Sequence, residues 1–391
     1  MLEDPAGSYT LVIPTFNRPE LLGRLLRYLE LQSARFSVLV LDSSTADNKI
    51  RNAQAVASVQ LRIRRLEYDP ALPPFAKFLA GTEAVDTPFL SLCADDDIVV
   101  VPSVARLVEF LHRNGDYSAA HGLYFNFHEG RARDGPADAA KTGAGSHARV
   151  TSMFYRSPSI ADERPVQRVA HLFRRYEALT YAVYRTPVAR HVYAQSQKVE
   201  SILARELLAG ALTVAAGKSA RLEVIYYGRN TAPSAGYDNW HPLEWLATDP
   251  GGMFAEYAKY RTVLVRDLVS PDEGAPAMDE AVRMCDLIHL RYLQPFLQPR
   301  FLDFALEKNA ERLGRREVIT QVWKFWNQPG RLSWRARLRQ LLPGRVVVSG
   351  RNRYEFAPAF LYPGPLREAR RARKQVDAVV DCLNAYAAAL S

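Results

Sequence analysis

The segment Tyr9-Thr-Leu-Val-Ile-Pro-Thr-Phe-Asn-Arg18 begins with an apolar, β-branched run and changes at Pro14 into a polar turn. A short run of this kind is typical of a buried strand. Pro19 follows, and proline is favoured at the first position of a helix. The leucines that come next fall on one helical face, at positions 21, 22, 25, 26 and 29. The segment therefore predicts a strand that leads through a polar turn into a helix.

The same alternation continues through the first half of the chain. Apolar runs typical of strands end at Leu41, Tyr68 and Cys93, and helical patterns lie over Phe75–Ala84 and after Pro102. Parallel neighbouring strands need crossover connections, which are usually helical. We therefore expect an α/β fold with a mostly parallel sheet flanked by helices. Ligands of such sheets bind beyond the carboxyl ends of the strands.

The second half of the chain has a different character. Helical patterns cover Val166–Tyr184 and Lys198–Ala216, and Arg221–Tyr227 reads as a returning strand. A polar connection rich in Pro, Gly and Asn follows, and from Phe254 onward the pattern is mainly helical.

We expect two domains in this chain of 391 residues, over 1–230 and 231–391. Residues 300–391 contain 18 Lys and Arg and 8 Asp and Glu, a net charge of +10, whereas the preceding residues carry −1. The second domain is therefore expected to be helical and basic, and to contact an acceptor or a membrane surface.

Cysteine content and hydropathy exclude several protein classes. The three cysteines are widely spaced and form no CxxC pair, which argues against a disulfide framework and a zinc site and indicates a reducing cytosol. No stretch approaches the roughly 18 apolar residues of a membrane-spanning helix, and no signal-peptide pattern opens the chain. We therefore expect a cytoplasmic protein.

Three consecutive aspartates, Asp95, Asp96 and Asp97, follow directly after a buried strand. Like charges at a strand end need a compensating cation. On an extended backbone alternate side chains share a side, so Asp95 and Asp97 are expected to face the same crevice. Such carboxylates suit Mg²⁺ or Mn²⁺, although a solvated acidic loop is the competing interpretation.

Three ordered motifs resemble those of the family 2 glycosyltransferases, the nucleotide-sugar enzymes with the GT-A fold. They are Val12-Ile-Pro-Thr-Phe-Asn-Arg18, Val40-Leu-Asp-Ser-Ser-Thr-Ala-Asp47 and Ala94-Asp-Asp-Asp97, and the resemblance spans roughly residues 9–230. It implies that Thr15 and Asp42 contact the nucleobase. It also implies that Asp95, Asp96 and Asp97 hold the ribose and a Mn²⁺ or Mg²⁺ ion; the metal pair is left open between Asp95 with Asp97 and Asp95 with Asp96.

Two further positions bear on the donor. Lys77 lies where the family often has an arginine near the nucleotide, although a solvated helix lysine is the alternative. Family members usually carry a second acid after the second strand, which often reads a uracil ring, and here that residue is Ser43. A uridine donor is therefore only a preference.

Inverting glycosyl transfer needs a base for the acceptor hydroxyl. The family places this carboxylate at the start of a helix about a dozen residues before a glycine, which points to Glu206 ahead of Gly217, with Glu200 in reserve. Either glutamate can equally be a solvated helix residue. His241, after the last predicted strand, is a candidate metal ligand or acceptor contact, and a plain loop histidine is its alternative.

The basic C-terminal region indicates a surface partner. Arginines alternate with Trp334 and leucines over Arg331–Leu342, a pattern that suits an anionic membrane surface. We therefore expect an enzyme on the inner face of the cytoplasmic membrane that extends a glycan, including a lipid-linked one. Nucleic acid is the less favoured partner. The rival functions are nucleotidyl transfer and non-catalytic binding of nucleic acid or membrane.

Overall fold

The computed structural model describes residues 5–130, 147–154, 159–174, 176–230, 249–269, 274–294 and 366–389. The strands are β1 (Tyr9–Thr15), β2 (Ser37–Asp42), β3 (Ile63–Glu67), β4 (Phe89–Leu92), β5 (Ile98–Val99), β6 (Tyr117–Gly130), β7 (His147–Phe154), β8 (Val183–Arg185) and β9 (Lys218–Asn230). The helices are α1 (Pro19–Leu31), α2 (Ala46–Ala57), α3 (Pro74–Glu83), α4 (Val101–Arg113), α5 (Pro165–Arg174), α6 (Thr186–Ser196), α7 (Ile202–Ala216), α8 (Pro250–Leu268), α9 (Gly274–Leu293) and α10 (Leu366–Ala389).

The described strands form one sheet in the order β3-β2-β1-β4-β8-β6-β9-β5, and β7 pairs with β6. Strands β1 to β4 are parallel to one another, as the alternation of strands and helices predicts. The other half is mixed, because β8 runs antiparallel to both β4 and β6, whereas β9 is parallel to β6. The carboxyl ends of β1 and β2 are level, since Thr15 is the register partner of Asp42.

Helices cover both faces of the sheet. One face packs against α1, α4 and α10, with Leu25, Val104 and Val379 in the same buried cluster. The other face packs against α3 and α5 to α9, and includes Phe75, Leu208 and Leu264. The polar strand ends therefore meet at the edge of two apolar layers.

The predicted helix over Val166–Tyr184 was wrong in its second half. Helix α5 ends at Arg174, and Val183–Arg185 forms strand β8 between β4 and β6. Three residues are too few to show an alternating pattern, and the strand owes its place to hydrogen bonds from distant neighbours. Helix α6, which has Pro187 in its first turn, and strand β7 were also missed.

Helix α10 packs back onto the first half of the chain. It contacts α1, β7 and β9, and Val376, Val379 and Leu383 are buried in the core cluster beside them. Its Asn384 side chain accepts a hydrogen bond from the Ala148 backbone N–H at 2.7 Å. The domain boundary at residue 230 stays a prediction. Helix α10 follows that boundary in the sequence but packs into the core formed by residues before it.

No described helix is long and apolar enough to cross a membrane.

Candidate active site

The ends of β1 and β2 hold Thr15 and Asp42 side by side, and Lys77 of α3 lies over them. The buried Lys77 Nζ donates a hydrogen bond to the Thr15 carbonyl at 3.0 Å. Burial lowers the pKa of Lys77 to about 8, against the opposing effect of Asp95 and Asp42. Lys77 is therefore a buried cation that faces carboxylates of both motifs.

Asp42 is fully buried, and both of its carboxylate oxygens have partners. The Ser44 backbone N–H donates to Oδ1 at 3.0 Å, and Arg65 of β3 donates to Oδ2 at 2.8 Å. Burial raises the pKa of Asp42, but hydrogen bonds from Ser44, Asn52 and Arg65 outweigh it, and the net shift is downward. Asp42 thus orients the second loop and Arg65.

Hydrogen bonds of Asn17 join the loop after β1 to the loop after β2. Asn17 has a positive φ of 57°, a conformation that asparagine tolerates better than most residues. Its Oδ1 accepts from the Thr45 N–H at 2.9 Å, and its own N–H donates to Ser44 Oγ at 2.9 Å. Phe16, next to Thr15 in the same loop, is 48% exposed.

Asp95 and Asp96 share a cation. Thr15 Oγ1 donates to Asp95 Oδ2 at 2.7 Å, and Arg18 pairs with Asp95 Oδ1 at 3.2 Å and with Asp96 Oδ2 at 3.1 Å. Burial raises the pKa of Asp95; Arg18 opposes this effect and the Asp96 charge adds to it. The compensating cation that the sequence required is therefore, in part, the arginine of the first motif.

Asp97 faces a different set of donors, from strand β9. The Tyr227 hydroxyl donates to its Oδ2 at 2.7 Å, and the Asn230 N–H donates to its Oδ1 at 2.8 Å. The short strand β5 creates this contact, since Ile98 pairs with Gly228. Burial raises the pKa of Asp97, and the Asp96 charge raises it further, against the hydrogen bonds and Arg229.

The donor set suits a divalent cation that arrives with a phosphate. In the described part of the chain no three acidic, His or Cys side chains are grouped as a preformed metal site. However, Mg²⁺ is commonly bound by one or two carboxylates, with substrate phosphates completing its shell. The raised pKa values of Asp95 and Asp97 show that ionising both in this loop is unfavourable, and a cation would reverse that. The residues therefore fit such an ion.

Glu206, the predicted base, interacts electrostatically with Arg229, which also acts on Asp97. It is half-buried on α7, and its Ser201 N-cap fixes the start of that helix. Burial raises the pKa of Glu206, while Arg229 and Tyr176 lower it. Arg229, exposed at the end of β9, interacts electrostatically with both Asp97 and Glu206. One arginine therefore connects the predicted base to the aspartate loop.

The other sequence candidates fall elsewhere. The Glu200 side chain is 81% exposed and pairs with Lys259 of α8 at 2.6 Å, which also lowers its pKa. His241 and Trp334 lie outside the described residues.

The family assignment follows from sequence comparison. Residues 10–161 match the sequence model described as Glycosyl transferase family 2. This segment is a family 2 glycosyltransferase domain. The resemblance inferred from the three motifs is confirmed, and so is glycosyltransferase as the enzyme class.

Solved structures similar to this glycosyltransferase include TarS 1–349 of S. aureus, at 12% identity and a TM-score of 0.45, covering 97% of this chain and 91% of that one. The same TarS segment in complex with UDP-GlcNAc is 12% identical, with a TM-score of 0.47 and the same coverage. The mannosyltransferase PcManGT from Pyrobaculum calidifontis, in complex with GDP-Man and Mn²⁺, is 12% identical with a TM-score of 0.41, covering 97% of this chain and 87% of that one. Among curated proteins the chain has no match.

Several residues around the candidate site were missed in the sequence. Phe16 and Arg18 stand inside the first motif, so their position next to Thr15 was the available signal. Tyr227, Arg229 and Asn230 carried no such signal, because β9 reaches the aspartates only through pairing with β5.

Proposed function

We propose that the protein is a metal-dependent, inverting glycosyltransferase that moves a sugar from a nucleoside-diphosphate sugar to a hydroxyl of a growing surface polysaccharide or related glycan. One observation carries the proposal: Asp95 of the aspartate loop accepts a hydrogen bond from Thr15 and interacts electrostatically with Lys77, while Arg229 interacts electrostatically with both Asp97 and Glu206. This arrangement supports a site in which the donor-binding groups and the Glu206 base act on the same side of the sheet edge.

The nucleoside would bind at the ends of β1 and β2. Phe16 offers an exposed ring that can stack on a base, and aromatic stacking of this kind is favourable for every base. Both carboxylate oxygens of Asp42 already accept hydrogen bonds from Arg65 and Ser44, so Asp42 would contribute to nucleobase binding by orienting these two residues. Ser43 stands where family members usually have the second acid, which often contacts a uracil ring. The proposal therefore prefers a uridine donor without requiring one.

The diphosphate would lie over the aspartate loop. Asp97 and one of Asp95 or Asp96 would hold Mn²⁺ or Mg²⁺ together with phosphate oxygens, and the bound ion would stabilise the charge that develops on the departing diphosphate. Lys77 and Arg229 add positive charge at the two sides of the same loop. Thr15 and Arg18 hold Asp95, which would then face the ribose.

Glu206 would take the proton from the acceptor hydroxyl as that oxygen attacks the anomeric carbon. Its raised pKa suits this role, because a base whose pKa lies nearer the working pH is a stronger proton acceptor. His241, on the segment after β9, is proposed as a further metal ligand or as a contact on the acceptor side. The exposed Glu200, paired with Lys259, has weaker support.

The proposal also includes the acceptor and the place in the cell where the protein acts. A lipid-linked glycan at the inner face of the cytoplasmic membrane would match the basic sequence over Arg331–Leu342, which combines arginines with leucines and a tryptophan.

Calorimetry with UDP- and GDP-sugars, with and without Mn²⁺, tests the donor part of the proposal. Asp97→Asn should weaken Mn²⁺-dependent binding at least about tenfold, since it removes a carboxylate that would hold the ion. Asp86→Asn, at a side chain that is 91% exposed, is the matched control and should bind like wild type. Equal Mn²⁺-dependent affinity in wild type and Asp97→Asn would remove Asp97 from the site.

A further inference from the structure

Arg24 is a buried cation behind the aspartate loop. It lies on α1, and its side chain is only 4% exposed. One of its terminal nitrogens donates to the backbone carbonyl of Asp96 at 2.7 Å, and the other pairs with Glu129 of β6. The Arg24 guanidinium also lies 5.9 Å from the centre of the Phe127 ring.

Glu129 continues the connection to the carboxylate of Asp97. Its Oε2 accepts from the Asn230 side-chain amide at 3.0 Å, and the Asn230 backbone N–H donates to Asp97 Oδ1 at 2.8 Å. A single hydrogen-bonded chain thus runs from the Asp96 backbone through Arg24, Glu129 and Asn230 to the Asp97 side chain.

Stability alone does not explain a buried ion pair at this position. Removing two charges from water costs several kcal/mol per ion, and well-packed apolar residues of similar volume are often as stable or more stable. Arg24 lies over the Phe127 ring, which belongs to the buried apolar cluster of α1, β6 and α4, so apolar side chains are the natural alternative at this position. The pair is therefore better explained by what it holds in place.

We infer that Arg24 and Glu129 are positioning residues, which fix the backbone of Asp96 and the carboxylate of Asp97 in the orientation that receives the metal-bound diphosphate. The inference rests on the proposed function. A loop with three adjacent carboxylates tends to spread through charge repulsion, and a metal site requires its ligands to be held by a second layer of contacts. The chain through Asn230 provides that layer from two sides, α1 and β9.

Glu129→Gln tests the positioning role with a side chain of the same shape and no charge. Mn²⁺-dependent affinity for a nucleoside diphosphate should fall at least about tenfold, in the range by which second-layer changes weaken metal sites. Affinity for the corresponding nucleoside without metal should change by less than about twofold, since the base site at β1 and β2 is untouched. A purely structural role would lower both affinities together and would overturn the inference.

The double variant Arg24→Met/Glu129→Met separates positioning from folding. The double variant should have a melting temperature close to that of wild type, because two apolar side chains can replace a buried ion pair without loss of stability. Its affinity for the diphosphate should nevertheless stay as low as that of Glu129→Gln. Recovery of affinity along with stability would overturn the positioning role.

Hydrogen exchange of the peptide over residues 94–99, measured without ligand, supplies a readout independent of the donor. Exchange should be faster in Glu129→Gln than in wild type, because Arg24, which holds the Asp96 carbonyl, loses its charged partner and the loop opens more often. Unchanged exchange would overturn the inference whatever the donor is, whereas absence of Mn²⁺-dependent diphosphate binding in wild type would instead overturn the proposed function.

Discussion

Glu206 and Glu200 are close in sequence but differ in their surroundings. Glu206 is half-buried near Arg229 and Tyr176, whereas Glu200 is exposed and paired with Lys259. Glu206→Gln should therefore bind donor normally and lose transfer by roughly 10² or more, the usual contribution of a positioned base. Turnover and donor affinity should be measured for both Gln variants. Glu200→Gln is the control, and its turnover should fall only slightly. Collapse in Glu200→Gln with near-normal Glu206→Gln would reverse the assignment.

The direction of the Glu206 pKa shift gives this comparison a pH dependence. Only the ionised form can accept the proton, so turnover should rise with pH through a value above the ordinary 4.5 of glutamate. The raised pKa also means that the folded state loses stability as the pH rises between the ordinary and the raised value. Glu206→Gln should therefore be at least as stable as wild type at pH 8, in a thermal melt.

At the scale of elements, the sequence predicted best what is local. Strands β1 to β4 and helices α1, α3 and α4 follow from short-range periodicity, and the family motifs placed Thr15 and Asp95–Asp97 together at the strand ends. Tyr227 and Asn230, which hold Asp97, could not be predicted, because they come from more than a hundred residues away through the pairing of β5 and β9. Strand β8 was not predicted for the same reason, since its partners β4 and β6 are distant in the sequence.

Helix α7, which carries Glu206, ends on a buried arginine. Arg168 of α5 donates to the carbonyls of Val214 at 2.6 Å and Ala215 at 2.8 Å, and also to those of Asp162 and Glu163. Arg168→Met should lower the free energy of unfolding by about 2–4 kcal/mol, since it leaves buried carbonyls without donors. Arg174→Met, at an exposed arginine of the same helix, should change it little in a urea titration. Similar losses in both would show that Arg168 does not act as a cap.

At the scale of the whole molecule, helix α10 is part of the core of the first half. Leu383→Ala should destabilise the protein by about 2–5 kcal/mol, as is usual for a buried leucine, because it opens a cavity between α10 and the sheet. Asp381→Ala, at an exposed site on the same helix, is the matched control. Denaturant midpoints that do not differ between the two variants would show that α10 is detached in solution.

The return of α10 to the sheet also sets the order in which the protein can mature on the ribosome. Roughly 200 residues separate β7 from Val376, and at about 5–20 residues per second their synthesis takes on the order of 10–40 s. During that interval the apolar groove that α10 fills is open to solvent and to other nascent chains. A message cut short just before residue 366 would yield a polypeptide that contains every site residue named above but leaves an apolar surface exposed. Such a polypeptide would be a substrate for chaperones and proteases.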